Sequence, residues 1–154
     1  MARNKGFSLD YEGFLGFAEQ LDELGGSEAL LNATVMALDK SKEYVNNAIS
    51  EAMKASEYEF EKGSGYSQGE ARKSLKEISQ MPVMVEGTVV KAYTGVDLAD
   101  TPEVIILAVV GAPDRAKDTK LANAVRVKGK VRKEVDKIQE EIFNEALKEA
   151  LKND

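Results

Sequence analysis

The residue types that most often carry out catalysis are missing from this chain. Its 154 residues include no histidine and no cysteine. Histidine is the commonest general base and the commonest transition-metal ligand, while cysteine provides thiolate nucleophiles, thiolate metal sites and disulfides. The composition therefore excludes Ser-His-Asp and Cys-His catalysis and the usual zinc sites. We expect a protein that is not an enzyme and that uses no cofactor.

Two patterns in the sequence contain the residue types of a ligand site but lack the spacing that such a site needs. The glycine-rich segment from Gly63 to Gly69 would need a preceding strand and a following helix N-terminus to hold a phosphate. A long helix is predicted before it, and no Gly-Lys-Ser/Thr follows. Asp97, Asp100 and Glu103 recur every third residue, but Pro102 interrupts them and the spacing is not that of an EF-hand. We interpret the first segment as a loop and the second as a solvated turn, and we predict no metal site.

Charge is strongly segregated along the sequence. Residues 115–133 contain eight basic side chains and a single acidic one, Asp118; the basic residues are Arg115, Lys117, Lys120, Arg126, Lys128, Lys130, Arg132 and Lys133. This segment carries +7, so the remainder carries −13 to give the net charge of −6. Basic residues at a helix start oppose the helix macrodipole. An acidic patch on a neighbouring subunit or a nucleic acid would stabilise this placement. The alternative is an exposed lysine-rich loop that contacts nothing. The overall acidity, with a pI near 4.9, argues against a dedicated DNA-binding protein.

Helical periodicity dominates both ends of the sequence. Apolar residues at spacings of three and four predict a first helix from Phe14 to Leu24, which Gly25-Gly26 ends. Ser27 is a suitable N-cap for a second helix that runs to about Phe60 and carries many alanines, which allow close packing of other backbones. A continuous apolar stripe predicts a C-terminal helix; it comprises Val127, Val131, Val135, Ile138, Ile142, Ala146 and Ala150, widened by Phe143, Leu147 and Leu151. Such a stripe is usually core, and the alternative is a groove or interface for a partner.

The middle of the chain has the pattern of strands. After a short helix from Glu70 to Ile78, which the Met81-Pro82 step stops, apolar residues alternate imperfectly from Val83 to Val96. Glu86-Gly87 is a hairpin turn in this interpretation, and the apolar run Val104 to Val110 is a further strand. The predicted fold class is therefore α+β, an antiparallel three- to four-stranded sheet packed with the long N-terminal-half helix and the C-terminal helix.

We expect residues 1–154 to form a single domain, with flexible ends at about 1–8 and 152–154 and a loop at 61–69. No run approaches the roughly 20 apolar residues of a membrane helix. The basic N-terminus leads into no apolar segment of the kind found in signal peptides. The sequence thus predicts a cytoplasmic location and no association with membranes.

Several local patterns, taken in order, are similar to those of a known protein family. Leu21-Asp22-Glu23-Leu24 precedes the glycine pair, and an alanine-containing helix follows it. Ser67 to Leu75 contains the Gly, Arg and Ser elements of a loop motif, although their spacing is stretched. Val109-Val110-Gly111-Ala112-Pro113 places a small residue and a glycine after an apolar run, and Leu121-Ala122-Asn123-Ala124 opens the last part of the chain. The chain resembles the tail-completion, or head–tail joining, proteins of long-tailed bacteriophages, also called minor tail or neck proteins. It departs from them at Val110, where the family commonly has glutamate.

The resemblance implies a structural virion protein that is assembled in the host cytoplasm. Such a protein would form a ring, expected to be hexameric, between the head connector and the tail tube or its terminator. DNA would pass through the ring without specific binding. The family supplies no catalytic residues; the interface candidates come from exposure and charge, and they are Tyr66, Gln68, Arg72, Arg126, Lys128, Lys130 and Arg132. The alternative is a cytoplasmic bacterial adaptor module that docks a partner protein through its helices.

Overall fold

The computed structural model describes residues 14–56, 70–86, 89–96, 108–111, 113 and 116–152, and they form a mostly helical fold. Its elements are α1 (Phe14–Ala55), α2 (Glu70–Ser79), β1 (Met84–Glu86), β2 (Val89–Lys91), α3 (Thr119–Arg126) and α4 (Lys130–Lys152).

The break that the glycine pair predicts is present in α1. Gly26 has φ 81° and ψ 176°, so the helix is interrupted there. A Cβ atom at this position would meet nothing within 4 Å. The backbone conformation, rather than a lack of space, is therefore what favours glycine. The helix beyond it ends at Ala55, short of the predicted end at about Phe60, which lies outside the described residues.

Helices α1 and α4 pack antiparallel and form the frame of the molecule. Ala33 and Ala37 of α1 are buried against Phe143, Leu147 and Ala150 of α4. The small side chains of α1 allow the Phe143 ring to lie close to the α1 backbone, and Phe143 is fully buried. Two of the alanines are therefore buried where the helices meet, and the close approach of another backbone stays a prediction.

A polar layer crosses the same helix pair between two apolar clusters. The Nε2 atom of Gln139 donates to Oγ of Ser41 at 3.1 Å, and both residues are buried. Oε1 of Gln139 has no hydrogen-bond partner among the described residues. Beyond this layer lies the second and larger cluster, in which Val45 and Ile49 of α1 pack with Val135 of α4 and Leu121 of α3.

Helix α2 is confirmed over almost its predicted range and is attached to α1. Its Ala71 and Leu75 belong to the larger apolar cluster. Just beyond its C-terminal end, the backbone carbonyl of Met81 accepts a hydrogen bond from Nζ of Lys42, a largely buried side chain of α1. This contact gives the buried ammonium group a partner, which a buried charge requires.

The predicted three- to four-stranded sheet is wrong. In the described residues the sheet has two strands, β1 and β2, which pair antiparallel with Glu86 opposite Val89. The hairpin predicted at Glu86-Gly87 is therefore confirmed, with Glu86 as the last residue of β1. The carboxylate of Glu86 accepts a hydrogen bond from Nζ of Lys91 at 3.0 Å, and this contact raises the pKa of Lys91.

The apolar residues after β2 do not continue the sheet, because a tertiary contact binds the backbone there. The backbone N–H of Gly95, which has φ 92°, donates to Oδ1 of the buried Asn46 at 3.1 Å. This donor thus bonds to a side chain of α1 instead of a neighbouring strand. The predicted strand from Val104 to Val110 is also wrong at its end, because Ala108–Val110 are helical; residues 104–107 lie outside the described part. A short apolar run cannot by periodicity alone be assigned to a strand or to a buried helix.

The C-terminal apolar stripe belongs to the core, as its periodicity favours. The residues that are most buried, however, lie on a face of the helix that is rotated from the predicted face. The buried residues of α4 are Val135, Gln139, Phe143, Leu147 and Ala150. Ile138, Ile142 and Ala146, which the prediction placed at the centre, are only partly buried, and Leu151 is 59% exposed. The face that the alternative interpretation offered to a partner is thus covered by α1.

Candidate functional site

The basic segment folds into a corner between α3 and α4. Asp118 is the N-cap of α3, and its Oδ1 atom accepts a hydrogen bond from the backbone N–H of Leu121 at 3.0 Å. Leu121, Ala122 and Ala124 then bury one face of α3 in the larger apolar cluster. This packing directs the remaining faces of α3 to the surface.

Replacing the cap of α3 gives a first testable outcome. We expect Asp118→Ala to lower the free energy of unfolding by about 1 kcal/mol, because the N–H of Leu121 loses its acceptor. Asp118→Asn retains a side-chain oxygen and should cost only a few tenths of that. Urea unfolding followed by circular dichroism measures both variants. Equal losses for the two substitutions would contradict a role for the side-chain oxygen as a cap.

The turn that joins the two helices is tightly specified. The N–H of Lys128 donates to the carbonyl of Asn123 at 2.9 Å, and that of Val127 to the carbonyl of Ala124 at 3.3 Å. These two bonds form a Schellman motif, in which the residue after the helix adopts the left-handed conformation. Val127 does so with φ 52°, which is unfavourable for a β-branched residue, and it is buried. Burial of its side chain offsets this backbone cost, so the turn holds one conformation.

Six basic side chains at this corner are exposed, and we call them the basic corner. They are Lys117, Lys120, Arg126, Lys128, Lys130 and Lys133. Within the described part of the chain, none of the six forms an ion pair. The first turn of α4 contains no acidic residue, so its lysines face the positive end of the helix dipole. Among the described residues, the corner thus presents an excess of positive charge.

The structure brings together only some of the residues that the sequence predicts for an interface. Arg126, Lys128 and Lys130 all belong to the basic corner. Arg132 lies beside them but is half-buried, with its Nε atom 3.0 Å from Oδ1 of Asp136. Arg72 is also half-buried, and it lies on α2 rather than on α3 or α4. Tyr66 and Gln68 lie outside the described residues, as do the carboxylates Asp97, Asp100 and Glu103.

Sequence reasoning missed the buried polar residues of α1 and α4. Ser41, Lys42, Asn46 and Gln139 are all less than 8% exposed. Asn46 accepts the bond from Gly95, while its Nδ2 atom has no partner among the described residues. The signal that could have indicated them is a polar residue that interrupts an otherwise apolar spacing of four, as Gln139 does between Val135 and Phe143.

The described residues also bear on membrane and metal binding. None of their helices has both the length and the apolar character of a bilayer span. The same residues contain no group of three or more acidic side chains placed to hold a metal ion. No family model, curated protein or solved structure matches the chain. The basic corner is therefore interpreted from its own residues.

Proposed function

We propose that this chain is a structural virion component that forms a ring at the neck of a long-tailed bacteriophage, between the head connector and the tail tube. The basic corner is the observation that supports an assembly role most directly, because six exposed cations without ion pairs in the described chain form a surface that an acidic partner subunit would complement. The resemblance of the sequence to head–tail joining proteins supports the choice of the phage neck as the place of assembly.

The corner has properties suited to a permanent contact between subunits. Its helices are fixed to the larger apolar cluster through Leu121 and Val135, which are both fully buried. Its turn is held by the buried Val127. A surface whose backbone is fixed in advance loses little conformational entropy when a partner binds.

Passage of DNA without specific binding agrees with the charge of the chain. The protein carries a net charge of −6, and everything outside residues 115–133 carries −13. Dedicated DNA-binding proteins present a positive surface to many phosphates. An acidic ring around DNA would repel the duplex from its wall and so allow it to slide. The two-stranded sheet of the described residues is smaller than the sequence pattern predicts, and the proposal does not depend on it.

Loss of the gene in a phage that encodes this chain tests the proposal. Electron microscopy of the lysate should show filled heads and complete tails that remain unattached, and the wild-type chain supplied from a plasmid should restore whole virions. In restored particles, antibodies against the chain should label the neck. Normal virions that assemble without the protein would contradict the proposed function.

The alternative of an adaptor that docks a partner through its helices finds less support. That interpretation needs an apolar face on the C-terminal helix that remains open to a partner. Phe143, Leu147 and Ala150 of α4 are instead buried against Ala33 and Ala37 of α1. We therefore do not propose this function.

A further inference from the structure

The basic corner has an acidic counterpart on the same chain. From residue 6 to residue 39 the sequence contains no lysine or arginine. Asp22, Glu23 and Glu28, which lie on either side of the helix break at Gly26, are exposed. We call these three residues, with the exposed glutamates of the last part of α4, the acidic end; the glutamates are Glu145 and Glu149.

The antiparallel packing of α1 and α4 places the two charged surfaces at opposite ends of the molecule. Ser41 bonds to Gln139 near the middle of the helix pair, whereas Ala33 and Ala37 pack with the C-terminal half of α4. Ala29 and Leu30, just after the break at Gly26, pack on the same cluster. This part of α1, with the neighbouring Glu28, therefore lies beside the end of α4 and away from the corner at Lys130. Helix α4 has 23 residues, and at 1.5 Å per residue its ends are separated by about 35 Å.

Most of the described acidic residues at the basic corner, and one of the two lysines at the acidic end, already have a partner within the chain. Among the described acidic residues from Asp118 to Asp136, Asp118 caps α3 and Asp136 pairs with Arg132, which leaves Glu134. At the acidic end, Nζ of Lys152 lies 3.5 Å from Oε1 of Glu149, which leaves Lys148. Each end thus retains a clear excess of one sign.

We propose that the acidic end of one copy of this chain binds the basic corner of the next copy. A contact between two different surfaces of the same protein is heterologous, so each copy keeps one free surface of each sign and can add another neighbour. Such contacts build a ring when the rotation between copies closes. The closed ring rests on the proposed function, whereas the contact itself follows from the two charged ends.

A second copy fits the corner better than a nucleic acid does. The acidic end supplies a surface of matching charge on every molecule, at the same concentration as the corner. A duplex that approached the corner would also approach the rest of a chain that carries −13. Charge complementarity of this kind sets orientation and selects against wrong partners.

Charge reversal at each end tests the contact. One variant carries Lys128→Glu and Lys130→Glu, and a second carries Glu23→Lys and Glu28→Lys; all four positions are exposed. Sedimentation velocity at low salt should show that the unaltered chain self-associates and that each variant alone does so at least about tenfold more weakly, because like charges then meet. Raising the salt should also dissociate the unaltered chain, since exposed charges are screened over roughly 10 Å at 0.1 M salt.

Mixing the two variants provides the most specific result. The first variant keeps an unaltered acidic end and the second keeps an unaltered basic corner, so one intact contact can form between them and the mixture should associate more strongly than either variant does alone. A chain with all four substitutions should self-associate again. A control with Lys40→Glu and Lys137→Glu changes the net charge as the first variant does, at exposed positions between the two ends. This control should self-associate as the unaltered chain does.

Several results would overturn the contact. These are an unaltered chain that stays monomeric at low salt and high concentration, variants that associate normally, or a mixture that does not recover. Loss of duplex DNA binding by the first variant, with self-association unchanged, would assign the corner to DNA instead. Circular dichroism establishes that each variant is folded. If the charge reversals leave self-association unchanged while antibodies still label the neck, the contact is wrong and the proposed function stands. If the charge reversals behave as expected but the chain is absent from virions, only the proposed function is wrong.

Discussion

Phe143→Ala should destabilise the protein more than any other single substitution considered for this chain. Phe143 is the largest of the fully buried side chains, and it lies between the buried alanines of α1. Alanine in its place would leave a cavity, because Ala33 and Ala37 are too small to fill it. We expect a loss of about 3 to 5 kcal/mol in the free energy of unfolding.

Urea unfolding at equilibrium measures this loss, and Leu151→Ala is its matched control. Leu151 lies on the same helix but is 59% exposed, so its truncation should change the stability by less than about 0.5 kcal/mol. Similar losses for both variants would show that α4 does not pack on α1 through the face that contains Phe143. A Phe143→Leu variant should lose less than Phe143→Ala, because it retains most of the apolar volume.

Ala37→Leu should have the second largest effect on stability. It adds atoms to the core, whereas Phe143→Ala removes them. Ala37 is fully buried in the same cluster as Phe143. A leucine there adds volume to a closely packed interface between two helices. We expect the helices to shift apart or the Phe143 ring to leave its rotamer, at a cost of about 1 to 3 kcal/mol.

The same substitution at an exposed alanine separates overpacking from helix propensity. Ala55 is exposed at the end of α1, and Ala55→Leu should have little effect on urea unfolding because the two residues differ little in helix propensity. If Ala37→Leu were neutral or stabilising, a void beside Ala37 would have to accommodate the extra atoms. The double variant Ala37→Leu, Phe143→Ala should lose less unfolding free energy than the two single variants lose together, because the leucine can occupy part of the cavity that Phe143 leaves.

The parts of the fold that depend on local signals could be predicted from the sequence. The glycine pair indicated the break at Gly26, the Met81-Pro82 step indicated the end of α2, and the apolar spacing indicated α4. These signals act within a few residues, through backbone conformation and helix periodicity. They do not require knowledge of what packs against each element.

The errors arose where a tertiary contact decides the outcome. Gly95 has a strand-like neighbourhood in the sequence, but its N–H bonds to Asn46, which is 49 residues away. The helical conformation of Ala108 to Val110 was likewise hidden in a run of apolar residues. Gln139 was excluded from the predicted core because it is polar, and its burial becomes understandable only with Ser41 as its partner.

The candidate site was predicted better in its charge than in its geometry. The excess of basic residues in the segment that forms the corner can be counted directly in the sequence. That Arg132 is engaged by Asp136, while Lys128 and Lys130 stay exposed, depends on how α4 is rotated against α1. The opposite location of the acidic end required the antiparallel packing of the two helices, which no local pattern indicates.

The hydrogen bond between Ser41 and Gln139 joins residues that are 98 positions apart, and this separation has a consequence during synthesis. At about 5 to 20 residues per second, a ribosome needs roughly 5 to 20 s to produce the intervening chain. Throughout that time, the face of α1 that α4 will cover has no permanent partner. Ala33, Ala37 and Ser41 recur every four positions on this face, so this part of the nascent helix presents small side chains where larger apolar ones would attract other unfinished chains. The bulky side chain of this contact, Phe143, belongs to the helix that is made last.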